Sequence, residues 1–92
     1  MSAARDNFSD NPVARRFELA VGDEIAFADY RRDESGGKTL EILYVYAPPA
    51  LRNTGAAGRL MEGIVATAKA EGRKIVPTCG YAATWLERHP AT

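Results

Sequence analysis

The fold is decided by the stretch LEILYVYAPPALRNTGAAG, residues 40–58. Its first seven residues form an apolar run typical of a buried strand, and Pro48 and Pro49 end that strand. The small residues that follow lead into a helix, whose first amides lack a carbonyl partner and whose dipole places partial positive charge at the same end. This strand, loop and helix are therefore expected to bind an anionic phosphate group.

The helix is predicted from Ala57, because apolar residues recur there with the i, i+3, i+4, i+7 spacing of one buried stripe. Gly72 follows the last turn as a natural stop, and Lys69 complements the carbonyl end of the helix. The stripe consists of Ala57, Leu60, Met61, Ile64, Val65 and Ala68.

A short apolar segment after the helix, residues 73–77, predicts another strand. Strand, helix and strand then form a crossover, which makes the two strands parallel, or parallel and splayed. The helix begins at the carboxyl end of the strand over 39–46, where open α/β sheets bind ligands.

The residues before this crossover predict an antiparallel meander of three strands. The first covers 13–21 and the second 24–31, joined by a two-residue turn at Gly22-Asp23. A charged loop leads to the third strand, 39–46. Both faces of the third strand are largely apolar, as expected of a central strand that is covered on both sides.

The two ends of the chain complete a single domain. Residues 1–12 are polar and unpatterned and predict a disordered tail, and residues 13–92 form the domain. Thr78 is a candidate cap for a last short helix, which Pro90 ends. The predicted fold class is α/β (α+β): a three-stranded meander, a crossover helix, a fourth strand and a C-terminal helix. The apolar face of that last helix consists of Tyr81, Ala82, Trp85 and Leu86.

Composition argues against several classes of function. The 92 residues suit one domain, and 46% apolar residues are enough for a packed core. Twelve basic and twelve acidic residues cancel, so no overall charge favours nucleic acid or a membrane surface. One cysteine and one histidine argue against a metal site. With no signal-like start and no membrane-length apolar stretch, a soluble cytoplasmic protein is expected.

The loop over 52–58 lacks the Lys-Ser/Thr ending of a nucleotide-triphosphate loop and the glycine spacing of a dinucleotide fold. It resembles the Arg/Gln-x-x-Gly-x-Gly/Ala signature of the GNAT N-acetyltransferase superfamily, matched by Arg52, Gly55 and Ala57. A Pro-x-Cys-x-aromatic segment at residues 77–81 is similar to that of the very small single-domain members. The resemblance extends from Phe17 to Pro90.

The chain departs from these relatives at two places. Small relatives often have a His-Thr pair where this chain has Tyr44-Val45, so any role of that histidine is missing. A second glycine is commoner at the position of Asn53 or Ala57, and its absence affects how closely phosphates approach.

The resemblance implies a minimal GNAT-like domain that binds acetyl-CoA. In that family the loop amides hold the pyrophosphate, with Arg52 nearby for charge. The strand before the loop pairs with the pantetheine arm, and one of its amides polarises the thioester carbonyl. The alternative is a glycine-bearing turn that only starts a helix. The implied cofactor-binding residues are Val45, Tyr46, Ala47, Arg52, Asn53, Thr54, Gly55, Ala56, Ala57 and Gly58.

Three residues are candidates for catalysis, each with a structural alternative. By resemblance Tyr81 is the acid near the sulfur, and its alternative is a core aromatic paired with Trp85. Cys79 is a nucleophile, a residue that lines the thioester pocket, or a small buried hydrophobe, and pocket lining is favoured over nucleophile because no histidine in the motif activates it. Glu41 resembles a general-base glutamate, but an outward-facing strand residue is favoured. His89 is expected at the surface or at a helix end.

The expected function is acetyl-CoA-dependent N-acetylation by direct attack of an amine on the bound thioester. The alternative is an acyl-CoA-binding module without efficient transferase activity, which the missing His-Thr pair supports. A chain this short has little surface for an acceptor pocket. The acceptor is therefore either a small-molecule amine or a lysine or N-terminus of a partner protein. The protein is either a monomer or a homodimer. No metal, nucleic acid or membrane partner is expected.

Overall fold

A computed structural model describes residues 6–33 and 36–90 of the chain. The described residues form one five-stranded sheet, with the strands in sequence order, and two helices. Strands β1 to β4 are antiparallel, and β4 and β5 are parallel. In chain order the elements are β1 (Asp6–Asn11), β2 (Arg16–Val21), β3 (Glu24–Arg32), β4 (Thr39–Tyr46), α1 (Ala56–Glu71), β5 (Lys74–Pro77) and α2 (Gly80–Arg88).

The predicted meander and crossover are confirmed. Gly22 has a φ of 61° and joins β2 to β3 with Asp23 in the expected two-residue turn. At the end of α1, Gly72 adopts the left-handed conformation with a φ of 67°, and its amide bonds back to carbonyls of the last helical turn. β5 then runs parallel to β4, which places the start of α1 at the carboxyl end of β4.

The predicted disordered tail is wrong for residues 6–11, which form β1 at one edge of the sheet; residues 1–5 lie outside the described part. Phe8 supplies the physical reason. Its ring stacks on that of Phe17, with 5.7 Å between centroids, and it lies against Gly63 of α1 so closely that a Cβ there would be 2.5 Å from the ring. One aromatic side chain thus anchors a strand that is otherwise polar.

The predicted start of the next strand is also wrong, because β2 begins at Arg16 instead of Val13. Val13 is 95% exposed in the turn that joins β1 to β2. Pairing of the two strands begins with Asn11 opposite Arg16, so the residues between them must reverse the chain. Arg15 in this turn has a positive φ of 57°.

Both helices pack against the same face of the sheet. Ala82 and Trp85 of α2 belong to the buried cluster that α1 forms with the strands. The predicted apolar stripe of α1 is buried, except that Ala56 takes the place of Ala57. The largest side chains buried completely are Phe17, Leu40, Ile42, Leu60, Met61 and Ile64.

A β-bulge interrupts β4 at Leu43. Asp29 lies opposite Tyr44 and Tyr30 lies opposite Ile42, so Leu43 is an extra residue on β4. The bulge changes the alternation of side chains along the strand. Ile42 is buried under the helices, whereas Tyr44, two residues further on, is 51% exposed.

The prediction that β4 is covered on both sides is wrong. Both described helices belong to the buried cluster on one face, and the structure describes no element on the opposite face, which we call the open face. Its aromatic rings contact one another instead of a second layer. They belong to Phe27, Tyr44 and Tyr46.

The last helix, α2, begins at Gly80 after Cys79. The prediction that Thr78 caps it is wrong, because the Thr78 hydroxyl donates to the carboxylate of Glu41 instead. The helix ends at Arg88, before Pro90, as predicted. Neither described helix is long and apolar enough to cross a membrane.

Candidate active site at the split between two strands

The candidate site begins where β4 and β5 separate. β5 pairs only with Thr39–Ile42 of β4, and the amide of Cys79 makes the last link, 3.0 Å from the Ile42 carbonyl oxygen. From Leu43 onward β5 no longer pairs with that edge of β4. An extended ligand can therefore bind the free edge as a strand would.

The loop between β4 and α1 presents backbone amides to the same space. After a 3-10 turn over Pro49–Leu51, Asn53 and Gly55 have φ angles of 63° and 84°. Glycine adopts such an angle without steric cost, and asparagine tolerates it. Within the described residues the amides of Asn53, Gly55, Ala57 and Gly58 have no acceptor. These amides, at the positive end of α1, suit an anion.

A cavity of about 490 Å³ lies between the free edge of β4, the loop and the start of α2. Every predicted cofactor-binding residue except Thr54 lines it, and Tyr44, Leu51 and Tyr81 complete the lining. The Thr54 hydroxyl donates to the carbonyl oxygen of Leu51 and accepts from the amide of Ala56 at 3.3 Å. Thr54 therefore shapes the loop from within.

Arg52 reaches back toward the end of β4. Its Nε donates to the carbonyl oxygen of Ala47 at 2.9 Å, and its guanidinium carbon lies 5.8 Å from the centroid of the Tyr46 ring. The residue is exposed, so its charge can also attract an anion at the loop. Because a carbonyl oxygen can accept two hydrogen bonds, this contact leaves the edge from Val45 to Ala47 available to a ligand.

Tyr81, in the first turn of α2, lines the cavity with 43% of its surface exposed. Within the described residues no ring contact joins it to Trp85, whose ring stacks on His89 at 3.9 Å instead. The alternative of a core aromatic paired with Trp85 therefore lacks its contact. Burial raises the pKa of the Tyr81 hydroxyl above its ordinary value, which already lies well above neutral pH, and the group is protonated there.

A family model described as GCN5-related N-acetyl-transferase matches residues 16–92. The chain belongs to this family. The match confirms the resemblance found in the sequence, and the mixed sheet with two helices is consistent with a GNAT-like fold. It covers the whole candidate site, whereas β1 lies before it. None of the curated proteins compared with the chain matches it.

Cys79, which the GNAT resemblance makes a candidate, is not among the residues that line the cavity. It immediately precedes α2 and packs, half-buried, against the core. Its amide bonds to Ile42, and its carbonyl oxygen accepts from the amide of Ala83 at 3.0 Å. The residue thus joins α2 to β4 at the point where the strands separate.

Glu41, the candidate base, lies on the open face outside the lining of the cavity. Its carboxylate accepts a hydrogen bond from Thr78 and forms an ion pair of 2.7 Å with Arg31. These contacts, that of Thr78 foremost, hold the pKa of Glu41 below its ordinary value. A lowered pKa weakens Glu41 as a base, and its position outside the cavity agrees with an outward-facing strand residue.

Sequence reasoning did not assign Tyr44 or Leu51 to the site, nor Arg59, which supports the loop from outside the lining of the cavity. Tyr44 could have been found, because it alternates with Tyr46 along the strand that leads to the loop. Arg59 could not. Its Nη1 donates to the carbonyl oxygen of Thr54 at 3.1 Å, and its Nε pairs with Asp6 of β1, which is 53 residues away in the chain. No local pattern reveals such a pair.

Proposed function

We propose that the protein is an acetyl-CoA-dependent N-acetyltransferase in which an amine attacks the bound thioester directly. The observation that carries this proposal is the cavity at the split, where loop amides, a free strand edge and a protonated tyrosine meet. Membership of the family supports the reaction class. The same cavity also suits the alternative, an acyl-CoA-binding module without efficient transferase activity.

The residues present fit the parts of acetyl-CoA. The free amides at Asn53 and Gly55 and at the first turn of α1 would hold the pyrophosphate, with Arg52 as the nearby cation. Glycine at position 55 keeps this cradle open, because a Cβ there would lie 3.3 Å from Nη1 of Arg59 and would strain the backbone. The edge of β4 from Val45 to Ala47 would pair with the pantetheine amides.

Acetyl-CoA, when bound, supplies an acyl carbon activated as a thioester. An amide of the free edge of β4 donates a hydrogen bond to the thioester oxygen and so stabilises the charge that develops there. The acceptor ammonium loses its proton to water, and the amine nitrogen forms a bond to the acyl carbon as the C–S bond breaks. Tyr81 donates its hydroxyl proton to the departing sulfur. The nitrogen releases its second proton to solvent, and Tyr81 takes up a proton from solvent. The products are an amide and free CoA.

The proposal is tested first by thermal unfolding with and without acetyl-CoA. At 100 times its dissociation constant the ligand should stabilise the native protein by about 2.7 kcal/mol. Gly55→Glu places a carboxylate in the cradle and should abolish the shift. Gly72→Glu is the matched control, because Gly72 also has a positive φ but lies at the far end of α1, so its variant should retain the shift.

Release of free CoA then separates the two functions. Native protein that is stabilised by acetyl-CoA and releases CoA only when an amine is supplied is a transferase. Stabilisation without CoA release for any amine would favour the acyl-CoA-binding module. No shift at millimolar acetyl-CoA would overturn both.

A further inference from the structure

The open face carries a cluster of three aromatic rings at the rim of the cavity. The centroid of Phe27 lies 5.4 Å from that of Tyr46 and 6.3 Å from that of Tyr44, and the two tyrosine rings are 6.5 Å apart. Tyr44 and Tyr46 also line the cavity. The cluster is therefore continuous with the proposed site of acyl transfer.

Two of these rings already bind a cation. The guanidinium carbon of Arg16 lies 4.4 Å from the centroid of Phe27, and that of Arg52 lies 5.8 Å from the centroid of Tyr46. Within the part of the chain that the structure describes, Tyr44 has no such partner. Its half-exposed ring is thus available to a further cation, which aromatic faces attract.

The carboxylate of Asp29 lies beside this ring. Asp29 is directly opposite Tyr44 in the pairing of β3 with β4, and side chains at such positions stand about 5 Å apart on the same face. Asp29 is half-buried, and among the described residues it has neither an ion pair nor a hydrogen-bond donor for its side chain. A carboxylate beside an aromatic face is suited to an ammonium group.

The arginines nearest Asp29 on the open face are engaged elsewhere. Arg16 lies directly opposite Asp29 on β2, but its guanidinium is directed to Glu18 and to the ring of Phe27, and Arg52 lies over the ring of Tyr46. Arg16 forms an ion pair of 2.8 Å with Glu18, and Arg31 forms one of 2.7 Å with Glu41. Asp29, which makes no ion pair within the described residues, therefore places a carboxylate beside Tyr44, and its negative charge complements an amine in its protonated form.

We propose that Tyr44 and Asp29 bind the ammonium of the acceptor, and that this ammonium belongs to a lysine side chain of a partner polypeptide; the inference rests on the proposed function. Exposed apolar side chains beside the cluster favour a polypeptide over a small amine. Ile25 and Val76 of the open face are 43% and 39% exposed on either side of the cluster, and a chain laid across the face would cover them. A small amine has nothing with which to cover them.

Binding is tested by NMR titration without acetyl-CoA, so that the result does not depend on turnover. The probe is the blocked peptide Ala-Leu-Gly-Lys-Gly-Leu-Ala, and its control carries Nε-acetyl-lysine, which has no charge. The lysine peptide should shift the amide signals of Asp29 and Tyr44, and the acetylated peptide should not. Asp29→Asn and Tyr44→Leu should each weaken binding about tenfold, Tyr44→Phe should retain it because the ring remains, and Glu62→Gln on the outer face of α1 should not change it.

Turnover provides the second measurement. In Asp29→Asn the KM for the peptide should rise about tenfold while the thermal shift with acetyl-CoA stays unchanged. An unchanged KM and unchanged peptide binding in both Asp29→Asn and Tyr44→Leu would overturn the inference and leave the proposed function standing. If cadaverine were acetylated with the same kcat/KM as the peptide, the choice of a polypeptide acceptor would be overturned. Absence of the acetyl-CoA shift in the native protein would instead overturn the proposed function.

Discussion

The surroundings of Tyr81 and Glu41 shift the pKa values of these two groups in opposite directions. Burial beside the cavity raises the pKa of Tyr81, which keeps its hydroxyl protonated over the whole neutral range, although it also makes that hydroxyl a weaker acid. Hydrogen bonds from Thr78 and Arg31 lower the pKa of Glu41, which keeps that carboxylate ionised and a weak base. At neutral pH the first group is suited to act as an acid, and the second is suited to hold Thr78 and Arg31 in place.

We expect Tyr81→Phe to lower kcat about 100-fold, because it removes the proton donor, and to leave the thermal shift with acetyl-CoA unchanged. Since the pKa of Tyr81 is raised above the ordinary value of about 10, loss of its proton should not reduce the native rate below that pH. Rates of CoA release between pH 7 and 10 check both statements. An unchanged kcat in the variant would exclude Tyr81 as the acid.

At the level of elements, β1 and α1 meet at a glycine. Gly63 faces Phe8, and a Cβ at that position would lie 2.5 Å from the ring. Glycine normally weakens the interior of a helix. Here it permits β1 to lie close to α1.

We expect Gly63→Ala to destabilise the protein by about 1 kcal/mol, because crowding of Phe8 outweighs the better helix propensity of alanine. In a Phe8→Ala background the same substitution should stabilise, since the clash is gone. Denaturant unfolding measures both, with Gly80→Ala as the control, because a Cβ at Gly80 meets nothing within 4 Å. If Gly63→Ala changed the free energy of unfolding equally in both backgrounds, the contact between Phe8 and Gly63 would be contradicted.

The sequence predicted elements with a regular period and not those that depend on distant partners. The stripe of α1 and the Gly22-Asp23 turn follow from local spacing and were right. β1 was missed because Phe8 is its one large apolar residue and its partners Phe17 and Gly63 are far along the chain. The uncovered face of β4 was missed because an apolar pattern does not reveal whether a second layer exists. The loop before α1 was predictable because its glycine and the helix start are contiguous, whereas the contacts of Arg59 were not.

At the scale of the molecule, β1 joins parts of the chain that are far apart in sequence. The Tyr30 hydroxyl of β3 donates to Asp10 of β1 at 2.5 Å. Arg32 binds Asp10 at 3.1 Å and Glu71, at the end of α1, at 2.7 Å. Although β1 precedes the family match, it is therefore linked to both ends of α1, directly through Asp6 and Arg59 at the start and indirectly through Asp10 and Arg32 at the end.

We expect deletion of residues 1–11 to lower the free energy of unfolding by about 2–4 kcal/mol, from the lost burial of Phe8 and the lost hydrogen bonds of Asp10. Denaturant unfolding of the deletion and full-length chains measures this difference. Phe8→Ala should reproduce much of the loss, and Asn7→Ala, at an exposed position of the same strand, should not. A deletion without effect would restore the interpretation of this segment as a tail.

The bulge at Leu43 also affects how this strand is compared with its relatives. Val45 packs against the core, and Tyr44 and Tyr46 lie at the rim of the cavity, only because one residue is inserted before them. An alignment with a strand that lacks the insertion must therefore open a one-residue gap at Leu43. Without that gap it would equate surface positions of one protein with interior positions of the other, and would transfer the role of each site residue to its neighbour.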